Sequence, residues 1–448
     1  MNRRQFLQTT AAASAFVGAA PLMGQDSFAR YRTALVGCGW WGMNILGEAL
    51  QYTPPPPGGR KCRVVALCDV DQTARDAAAD KISKLTGEMP RTFRDYRDML
   101  AEQQPEIVIV ATPDHWHPLA TVDAVTAGAH VYVEKPVGHT IREGRAMVNA
   151  ARKYGKVVQV GLHRRVSPHN VSGMKFLREG RAGKIGFIRA FVHYGGTTGT
   201  ESPTPNIDPP KGLDWDLWCG PAPLRPFNKL IHPRGFRSFL DYANGQLGDW
   251  GVHWMDQVLW WSEEKWPRRV FSTGGRPIRG PAVALPDFQT TDVPDSQSAV
   301  FEFESFTLEW EHRIFAGIET DKGENVGCYF YGTEGIFHLG WRDGWAFYPR
   351  DKNKPVSREA AQLHEPDQQN IKELWLDFMA AIQGNTLPVC DIELGHRSTN
   401  LSLLGMLSLK TGRSVQWDGA REAIIGDPYA STLLQRQYRP GYQYPVVF

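Results

Sequence analysis

The sequence predicts an α/β protein whose N-terminal part forms a doubly wound parallel sheet. Apolar runs typical of strands alternate with stretches of helical periodicity between residues 33 and 161. The run from Ile107 to Ala111 is apolar without interruption, as expected of a strand that is buried on both faces. A glycine-rich loop separates the first strand from the first helix, and parallel sheets of this kind bind dinucleotides at that loop.

The composition is that of a globular protein with room for two large domains. The chain has 448 residues, of which 42% are hydrophobic and 22% are charged. Lys and Arg number 50 against 48 Asp and Glu, so a nucleic-acid binder that depends on overall positive charge is not expected. No apolar run of about 20 residues follows the N-terminus, so no membrane span is expected in the mature chain. The six cysteines form no Cys-x-x-Cys pair, and we expect no metal site.

Residues 1–29 have the pattern of a bacterial export signal. The pair Arg3-Arg4 stands before a stretch of small and apolar residues, which is typical of the twin-arginine pathway. We expect cleavage after Ala20 or Ala29 and a periplasmic or otherwise exported protein. The twin-arginine export machinery is then a partner of the precursor, and this segment does not belong to the fold.

The first strand, 33–36, leads into a loop with the spacing of the dinucleotide fingerprint, and a helical stretch follows as far as Leu50. In such a loop the first glycine permits the tight turn, the second lets the pyrophosphate approach the backbone, and the third lets the helix pack against the strand. The free N–H groups of the helix N-terminus then face the phosphates. The residues expected around the cofactor here are Gly37, Gly39, Trp40, Trp41 and Gly42.

The second strand, 64–68, ends at Asp69, where a carboxylate can accept both adenosine ribose hydroxyls and repel a 2′-phosphate. We therefore expect NAD rather than NADP as the cofactor. The proline-rich stretch 52–61 accounts for the long spacing from Gly37 as an inserted surface loop. Asp69 could also serve as a helix N-cap, and the two roles are compatible.

Polar residues follow three further strands, 107–111, 130–133 and 157–161, which alternate with helices 71–85, 119–127 and 141–154. Ligands of a doubly wound sheet bind beyond the carboxyl ends of its strands. The spacing of His115 and His117 also allows a metal pair, but no third ligand is near, and contact with the cofactor is favoured. The remaining residues expected around the cofactor are Thr112, Pro113, His115, His117, Glu134 and Gln159.

Two segments carry the chemistry. Lys135 stands at the end of a strand, immediately before a proline, where its ammonium could orient a substrate hydroxyl or share a proton. Asp249 and His253 are four residues apart, so on a helix they face the same way, and a histidine beside a carboxylate is a suitable base for an alcohol proton. An Asp that caps the helix and a His that packs in the core are the structural alternatives.

Together these motifs resemble the Gfo/Idh/MocA family, which includes glucose–fructose oxidoreductase and inositol dehydrogenase. The resemblance runs from about Thr33 to about Trp417 and includes the pattern Gly248-Asp249-x-Gly251-x-His253-x-x-Asp256. It implies reversible hydride transfer between a sugar or polyol carbon and the nicotinamide, with Lys135, Asp249 and His253 as catalytic residues and His253 as the proton acceptor. The residues that it places toward the substrate are His163, Arg164, Arg165, Trp250 and Asp256.

The resemblance also implies a domain plan. A Rossmann domain over 30–160 is followed over 161–420 by an α/β domain with a large, mostly antiparallel, open sheet, and 421–448 form a tail. Strands are expected at 186–194, 298–303, 308–313 and 328–331, and late helices within 371–410 should pack back on the body. The Pro-, Gly- and Trp-rich stretch 195–244 is expected to form a structured rim of the active site.

Three functions remain open at this point. The first is an exported sugar or glycoside oxidoreductase that holds its nicotinamide tightly and regenerates it in place. The second is an NAD-dependent glycoside hydrolase, lyase or epimerase that oxidises the sugar transiently. The third, a non-catalytic sugar-binding protein, is disfavoured because the acid–base residues are retained together. An open sheet with one uncovered face also predicts a homo-oligomer, a dimer or a tetramer.

Overall fold

The computed structural model describes residues 30–53, 59–317, 324–364 and 369–447. The predicted export signal and the prolines of the inserted loop lie outside these ranges. Within them, no helix is both long and apolar enough to cross a membrane.

The N-terminal sheet has six strands, all parallel, in the order β3-β2-β1-β4-β5-β6. Strand order reverses between β1 and β4, which is the switch point where a crevice opens at the carboxyl ends of the strands. The elements in chain order are β1 (Arg30–Val36), α1 (Trp40–Gln51), β2 (Lys61–Cys68), α2 (Gln72–Thr86), β3 (Arg91–Phe93), α3 (Tyr96–Gln103), β4 (Ile107–Val110), α4 (His117–Thr126), β5 (His130–Val133), α5 (Ile141–Lys153) and β6 (Val158–Val160).

The second part of the chain contains a ten-stranded sheet and a small two-stranded one. Its elements are α6 (Pro168–Arg178), β7 (Ile185–His193), β8 (Thr204–Pro205), α7 (Trp215–Cys219), α8 (Val252–Ser262), β9 (Arg269–Gly275), β10 (Phe288–Gln289), β11 (Ser296–Glu302), β12 (Thr307–Arg313), β13 (Val326–Gly332), β14 (Gly335–Gly340), β15 (Trp345–Pro349), β16 (Ser357–Glu359), α9 (Ile371–Gly384), α10 (Ile392–Thr411), β17 (Val415–Asp418), β18 (Ala423–Ile425) and α11 (Pro428–Thr432).

The large sheet runs in the order β16-β15-β14-β13-β7-β12-β11-β9-β17-β18, and only the β7–β12 pair is parallel. Burial alternates strictly along β11 and β12, because successive side chains of a strand point to opposite faces. The buried face packs against α8 and α10. The predicted fold class, a parallel Rossmann sheet followed by a large, mostly antiparallel sheet, is therefore confirmed.

Two differences from the sequence-based plan concern the N-terminal sheet and its core. The plan contained neither β3 nor α3, because three- and eight-residue elements carry little periodicity. The first of the late helices, α9, belongs by packing to the N-terminal core, since Leu374, Trp375 and Phe378 are buried with the strands of the parallel sheet. The second late helix, α10, packs on α8.

The stretch 195–244 has a hydrophobic cluster of its own. Trp215 and Trp218 stack with their ring centroids 4.5 Å apart, and Phe227 and Tyr242 pack around them. Backbone bonds at Gly212 and Asp214 tie this rim to the chain that follows β2. The rim is thus ordered by aromatic packing, and it forms one side of the crevice.

Candidate active site

A cleft of about 1080 Å³ lies over the carboxyl ends of the parallel strands. One wall is the N-terminal sheet with the loop before α1. The opposite wall comes from the rim, from the turn that precedes α8 and from the segment after β14. The cleft therefore brings together groups from both halves of the chain.

The loop between β1 and α1 forms a glycine cradle. Gly37 has a φ of +96°, and a Cβ at Gly42 would lie 2.1 Å from the Gly37 carbonyl oxygen, so the close approach of helix and loop requires glycine. A Cβ on Gly39 would meet nothing within 4 Å, because that position faces open space. No side chain caps the N-terminus of α1, which leaves its N–H groups free for an anion.

Asp69 lies at the end of β2 in the wall of the cleft. Its Oδ2 accepts a hydrogen bond from the Cys38 N–H at 2.7 Å, and its Oδ1 accepts one from the Asp71 N–H at 2.9 Å. Each oxygen keeps a further lone pair for a ribose hydroxyl. Burial raises the pKa of Asp69 to about 6, against the lowering effect of these two N–H groups. The helix cap proposed as its alternative role falls instead to Asp71, which accepts from the Thr73 and Ala74 N–H groups.

The cradle, Asp69 and the cleft-lining residue Thr112 fit a dinucleotide. The Thr112 hydroxyl is buried without a hydrogen-bond partner among the described residues, as expected of a group that bonds to a ligand. Trp40, Trp41, Pro113 and Glu134 also line this part of the cleft.

Lys135 and Asp249 meet at the floor of the cleft, although 114 residues separate them in the chain. The Lys135 ammonium donates to Asp249 Oδ1 at 2.6 Å and to the Asp249 backbone oxygen at 2.9 Å. Arg237, from the rim, lies 3.3 Å from the same Oδ1. Burial works to raise the pKa of Asp249, but the two cations outweigh it and lower the pKa to about 2. The carboxylate is therefore charged at any physiological pH.

The turn that carries Asp249 is π-helical, over Leu247–Gly251, and passes directly into α8. Insertions of this kind recur at functional sites, because they turn a side chain out of the regular helical array. Here Asp249 is directed to Lys135, while His253, on the first turn of α8, also lines the cleft. The sequence predicted one helical face for both residues, whereas in the structure Asp249 lies on a π turn and His253 on the regular helix, and both line the cleft.

His253 is nearly enclosed by aromatic rings. Its ring centroid lies 5.3 Å from that of His163 and 5.1 Å from that of Trp341, and Trp250 packs on Trp341 at 4.8 Å. Burial holds the pKa of His253 well below its usual range, and Lys135 and Arg164 lower it further. Both His253 and His163 are therefore uncharged, and all four rings line the cleft.

Three of the residues expected around the cofactor lie behind the cleft. His115 bonds through Nε2 to the Trp218 oxygen at 2.9 Å. His117 places Nδ1 2.8 Å from the Pro136 oxygen and Nε2 2.9 Å from the Thr112 oxygen. Gln159 donates to the Leu374 oxygen at 2.7 Å. None of the three lines the cleft. Buried imidazole and amide groups require hydrogen-bond partners, and here those partners are backbone oxygens. Their geometry holds the walls of the cleft in place.

Three residues expected to face the substrate are also turned inward. Arg165 and Asp256 form a buried bidentate ion pair with contacts of 2.8–3.0 Å, and Ser398 donates to the same carboxylate at 2.9 Å. Arg164 is buried with its guanidinium carbon 3.6 Å from the Trp341 ring. None of the three lines the cleft, whereas His163 and Trp250 do. The ion pair satisfies both charges, which explains why neither is directed to solvent.

Several cleft residues were not identified from the sequence. Arg237 and Trp341 lie in segments without a motif, and nothing in the sequence linked them to Asp249. Asp114 also lines the cleft, whereas His115 and His117, which follow it in the chain, do not. Its position just after a parallel strand was the one available signal. Among the described residues, no group of three or more His, Cys, Asp or Glu side chains is arranged to hold a metal ion.

Comparison with known proteins supports the same assignment of the two halves. A family described as "Oxidoreductase family, NAD-binding Rossmann fold" (GFO_IDH_MocA) matches residues 31–162, and the C-terminal α/β domain of that family matches residues 182–270. The two matches together span about half of the chain.

Curated relatives match over a shorter stretch. Glycosyl hydrolase family 109 protein 1 of Akkermansia muciniphila is 26% identical over 37% of this chain and 34% of its own length. Inositol 2-dehydrogenase of Salmonella paratyphi B is 29% identical over 32% of this chain and 41% of its own length. The chain thus spans well under half the length of these relatives.

Solved structures extend the likeness of fold to most of the chain. Levoglucosan dehydrogenase, in complex with NADH and levoglucosan, superposes with a TM-score of 0.64 at 17% identity, covering 86% of this chain and 99% of that one. From the two family matches, which place the cradle and the Lys135–Asp249 pair within their bounds, we conclude that residues 31–162 form the NAD-binding Rossmann domain of the Gfo/Idh/MocA oxidoreductase family and that residues 182–270 belong to its C-terminal α/β domain.

Proposed function

We propose that the protein is an NAD-dependent oxidoreductase that transfers a hydride between a hydroxyl-bearing carbon of a sugar or glycoside and a tightly held nicotinamide. The observation that carries the proposal is the Lys135–Asp249 pair at the floor of the cleft, facing the cradle and beside an uncharged His253. The relatives named inositol 2-dehydrogenase and levoglucosan dehydrogenase support a polyol or sugar as the substrate class.

The side chains can divide the work as follows. Two of the three donors on the Lys135 ammonium are used by Asp249, so the third is free to bind and orient the substrate hydroxyl. Asp249 stays ionised and fixes the direction of that ammonium. His253 is uncharged and lines the cleft, so the ring can accept the hydroxyl proton during oxidation and return it during reduction. NAD, when bound, supplies the hydride acceptor.

The walls of the cleft suit a sugar ring. Trp250 offers a flat apolar surface beside His253, and such a surface can lie against the C–H face of a pyranose. The charged side chains at the floor of the cleft, Lys135 and Asp249, can form hydrogen bonds with the hydroxyl groups of a small substrate. Nucleic acid is not a partner in this proposal.

A second candidate function has a specific observation in its favour, namely the relatives named glycosyl hydrolase family 109 proteins. In such a closed cycle the sugar is oxidised at one carbon, and the proton beside the new ketone and the anomeric substituent are eliminated. Water then adds to the resulting double bond, and the ketone is reduced again. The same acid–base residues serve both functions. The difference is whether the reducing equivalents leave the site.

One experiment separates the two functions. The purified mature protein, without added cofactor, is mixed with a panel of glycosides, while the near-ultraviolet absorbance of reduced nicotinamide is followed and the sugars are analysed by mass. A lasting rise with a keto-sugar supports a dehydrogenase. Cleavage or epimerisation without a lasting rise supports the closed cycle. No change in either signal with any sugar contradicts both proposals.

We further propose that the protein is exported by the twin-arginine pathway as a folded holoenzyme and acts as a homo-oligomer. The pair Arg3-Arg4 supports export, and the open ten-stranded sheet supports self-association. Replacing both arginines by lysine should keep the precursor in the cytoplasm, whereas unchanged export would contradict the pathway. Light scattering of the mature protein should give a dimer or a tetramer, and a monomer would contradict the assembly.

A further inference from the structure

The crossing segment, residues 232–237 of the rim, runs along the cleft, and every side chain in it lines the cleft. At one end, His232 Nε2 lies 3.8 Å from Asp71 Oδ2, in the turn that follows β2. At the other end, Arg237 lies 3.3 Å from Asp249 Oδ1. The segment therefore extends from the carboxylate expected to bind the ribose to the residues expected to carry the chemistry.

Between these two ends, Arg234 reaches the glycine cradle. Its guanidinium carbon lies 4.7 Å from the centroid of the Trp40 ring, a position in which a guanidinium is attracted to the face of the ring. Trp40 is the first residue of α1, and the N-cap Gly39 has no side chain that could bond to the first N–H groups of the helix. Arg234 is therefore near the helix N-terminus at which an anion can bind.

The charge of Arg234 is not neutralised by the described part of the chain. Six lysine and arginine side chains line the cleft, and three of them lie 2.6–3.3 Å from a carboxylate oxygen. The three that form no ion pair with a described residue are Lys81, Arg234 and Arg342. Of these, Arg234 is the one that packs on a residue of the cradle. The carboxyl groups that line the cleft, none of which forms an ion pair with Arg234, are those of Asp69, Asp71, Asp95, Asp114, Glu134 and Asp249.

The pyrophosphate of a dinucleotide is doubly negative, and in a Rossmann domain it binds at the N-terminus of the first helix. The cradle loop, residues 37–42, provides N–H groups but contains no lysine or arginine. A positive charge beside the pyrophosphate must therefore come from outside the loop. A guanidinium suits this role, because its planar array of N–H groups can donate two parallel hydrogen bonds to phosphate oxygens.

We propose that Arg234 is a cofactor-binding residue that pairs with the pyrophosphate of the dinucleotide, so that the crossing segment holds the cofactor in the cleft. The Trp40 ring orients the guanidinium in advance, which reduces the side-chain freedom lost on binding. The inference rests on the tightly held cofactor of the proposed function, and it applies whichever sugar reacts.

The test uses two probes that differ in the pyrophosphate. Adenosine and ADP-ribose are titrated by calorimetry into the full mature chain after its bound cofactor has been removed. Arg234→Gln should weaken the binding of ADP-ribose at least about tenfold and leave that of adenosine unchanged, because only ADP-ribose carries the pyrophosphate. NAD should leave the purified holoenzyme of this variant faster by a similar factor. Arg234→Lys keeps the charge without the planar array of donors, so it should recover part of the affinity.

Arg181→Gln is the matched control. Arg181 is also an exposed arginine over an aromatic ring, with its guanidinium carbon 4.1 Å from the Phe176 centroid, but it does not line the cleft. Its replacement should change the binding of neither probe.

Unchanged binding of ADP-ribose to Arg234→Gln would overturn the inference. Equal weakening of both probes would also overturn it, since Arg234 would then only shape the cleft. If ADP-ribose alone binds more weakly but no sugar reacts with the natural protein, the proposed function fails and the inference stands. If sugar is oxidised and Arg234→Gln binds ADP-ribose normally, the inference fails and the function stands.

Discussion

Two glycines on α1 provide a matched pair of substitutions that tests the cofactor cradle. A Cβ at Gly42 would lie 2.1 Å from the Gly37 oxygen and 3.2 Å from both the Ala111 Cβ and a Leu35 methyl carbon. A Cβ at Gly47, on the same helix, would meet nothing within 4 Å. Gly42→Ala and Gly47→Ala therefore make the same chemical change in the same helix, and only the first affects the close approach of helix and loop.

The expected energies have opposite signs. To reach an ordinary contact distance, Gly42→Ala must separate the helix from the loop by about 1 Å, and overpacking of this kind costs about 1–3 kcal/mol. Alanine offsets about 1 kcal/mol of that cost through its higher helix propensity. Gly47→Ala has only the favourable effect, so it should raise the free energy of unfolding by up to about 1 kcal/mol.

The assay measures the free energy of unfolding by denaturant titration and the NAD content of the purified protein. Gly42→Ala should be less stable and should bind NAD at least about tenfold more weakly, because the phosphate-binding loop moves with the helix. Gly47→Ala should retain NAD fully. Equal NAD affinity in the two variants would refute the assignment of the loop as a phosphate cradle.

Three further predictions concern the polar residues of the cleft. Lys135→Met should lower the rate of hydride transfer by about 10²–10⁴-fold with NAD still bound, whereas the surface control Lys84→Met should be unaffected; activity in the first variant would exclude the assigned role. Asp69→Asn should weaken NAD retention. The natural protein should lose NAD as the pH falls below about 6, where Asp69 becomes protonated. Measuring the content of bound NAD at each pH tests both expectations. Asp249→Asn should lower the free energy of unfolding at pH 7 by about 2 kcal/mol. This difference from the natural protein should fade as the pH drops from about 4 to about 2, because protonation of the Asp249 carboxylate then removes the stabilising charge. A difference that does not depend on pH would contradict the ion pair.

Much of the fold could be predicted from the sequence, because it depends on patterns among residues that are close together in the chain. Continuous apolar runs predicted the buried parallel strands, strict alternation predicted β12, and glycine spacing predicted the cradle. Each of these signals depends on the backbone geometry of neighbouring residues, so a single sequence contains it. The same holds for the Lys135 and Asp69 positions, since residues just after parallel strands meet at one edge of the sheet.

The direction of individual side chains depended on partners that are distant in the chain. His117 is held by two backbone oxygens, and Arg165 pairs with Asp256, 91 residues away. These residues belong to the same sequence motifs as cleft residues, but they are buried behind the cleft. Arg237 reaches Asp249 only because aromatic packing shapes the rim. The sequence by itself determined the parallel sheet, the cradle and the chemical types of the site residues, and the family resemblance added the large antiparallel sheet. Only the tertiary structure decided which of them share the cleft, because ion pairing and burial are settled by contacts between segments that no local pattern connects.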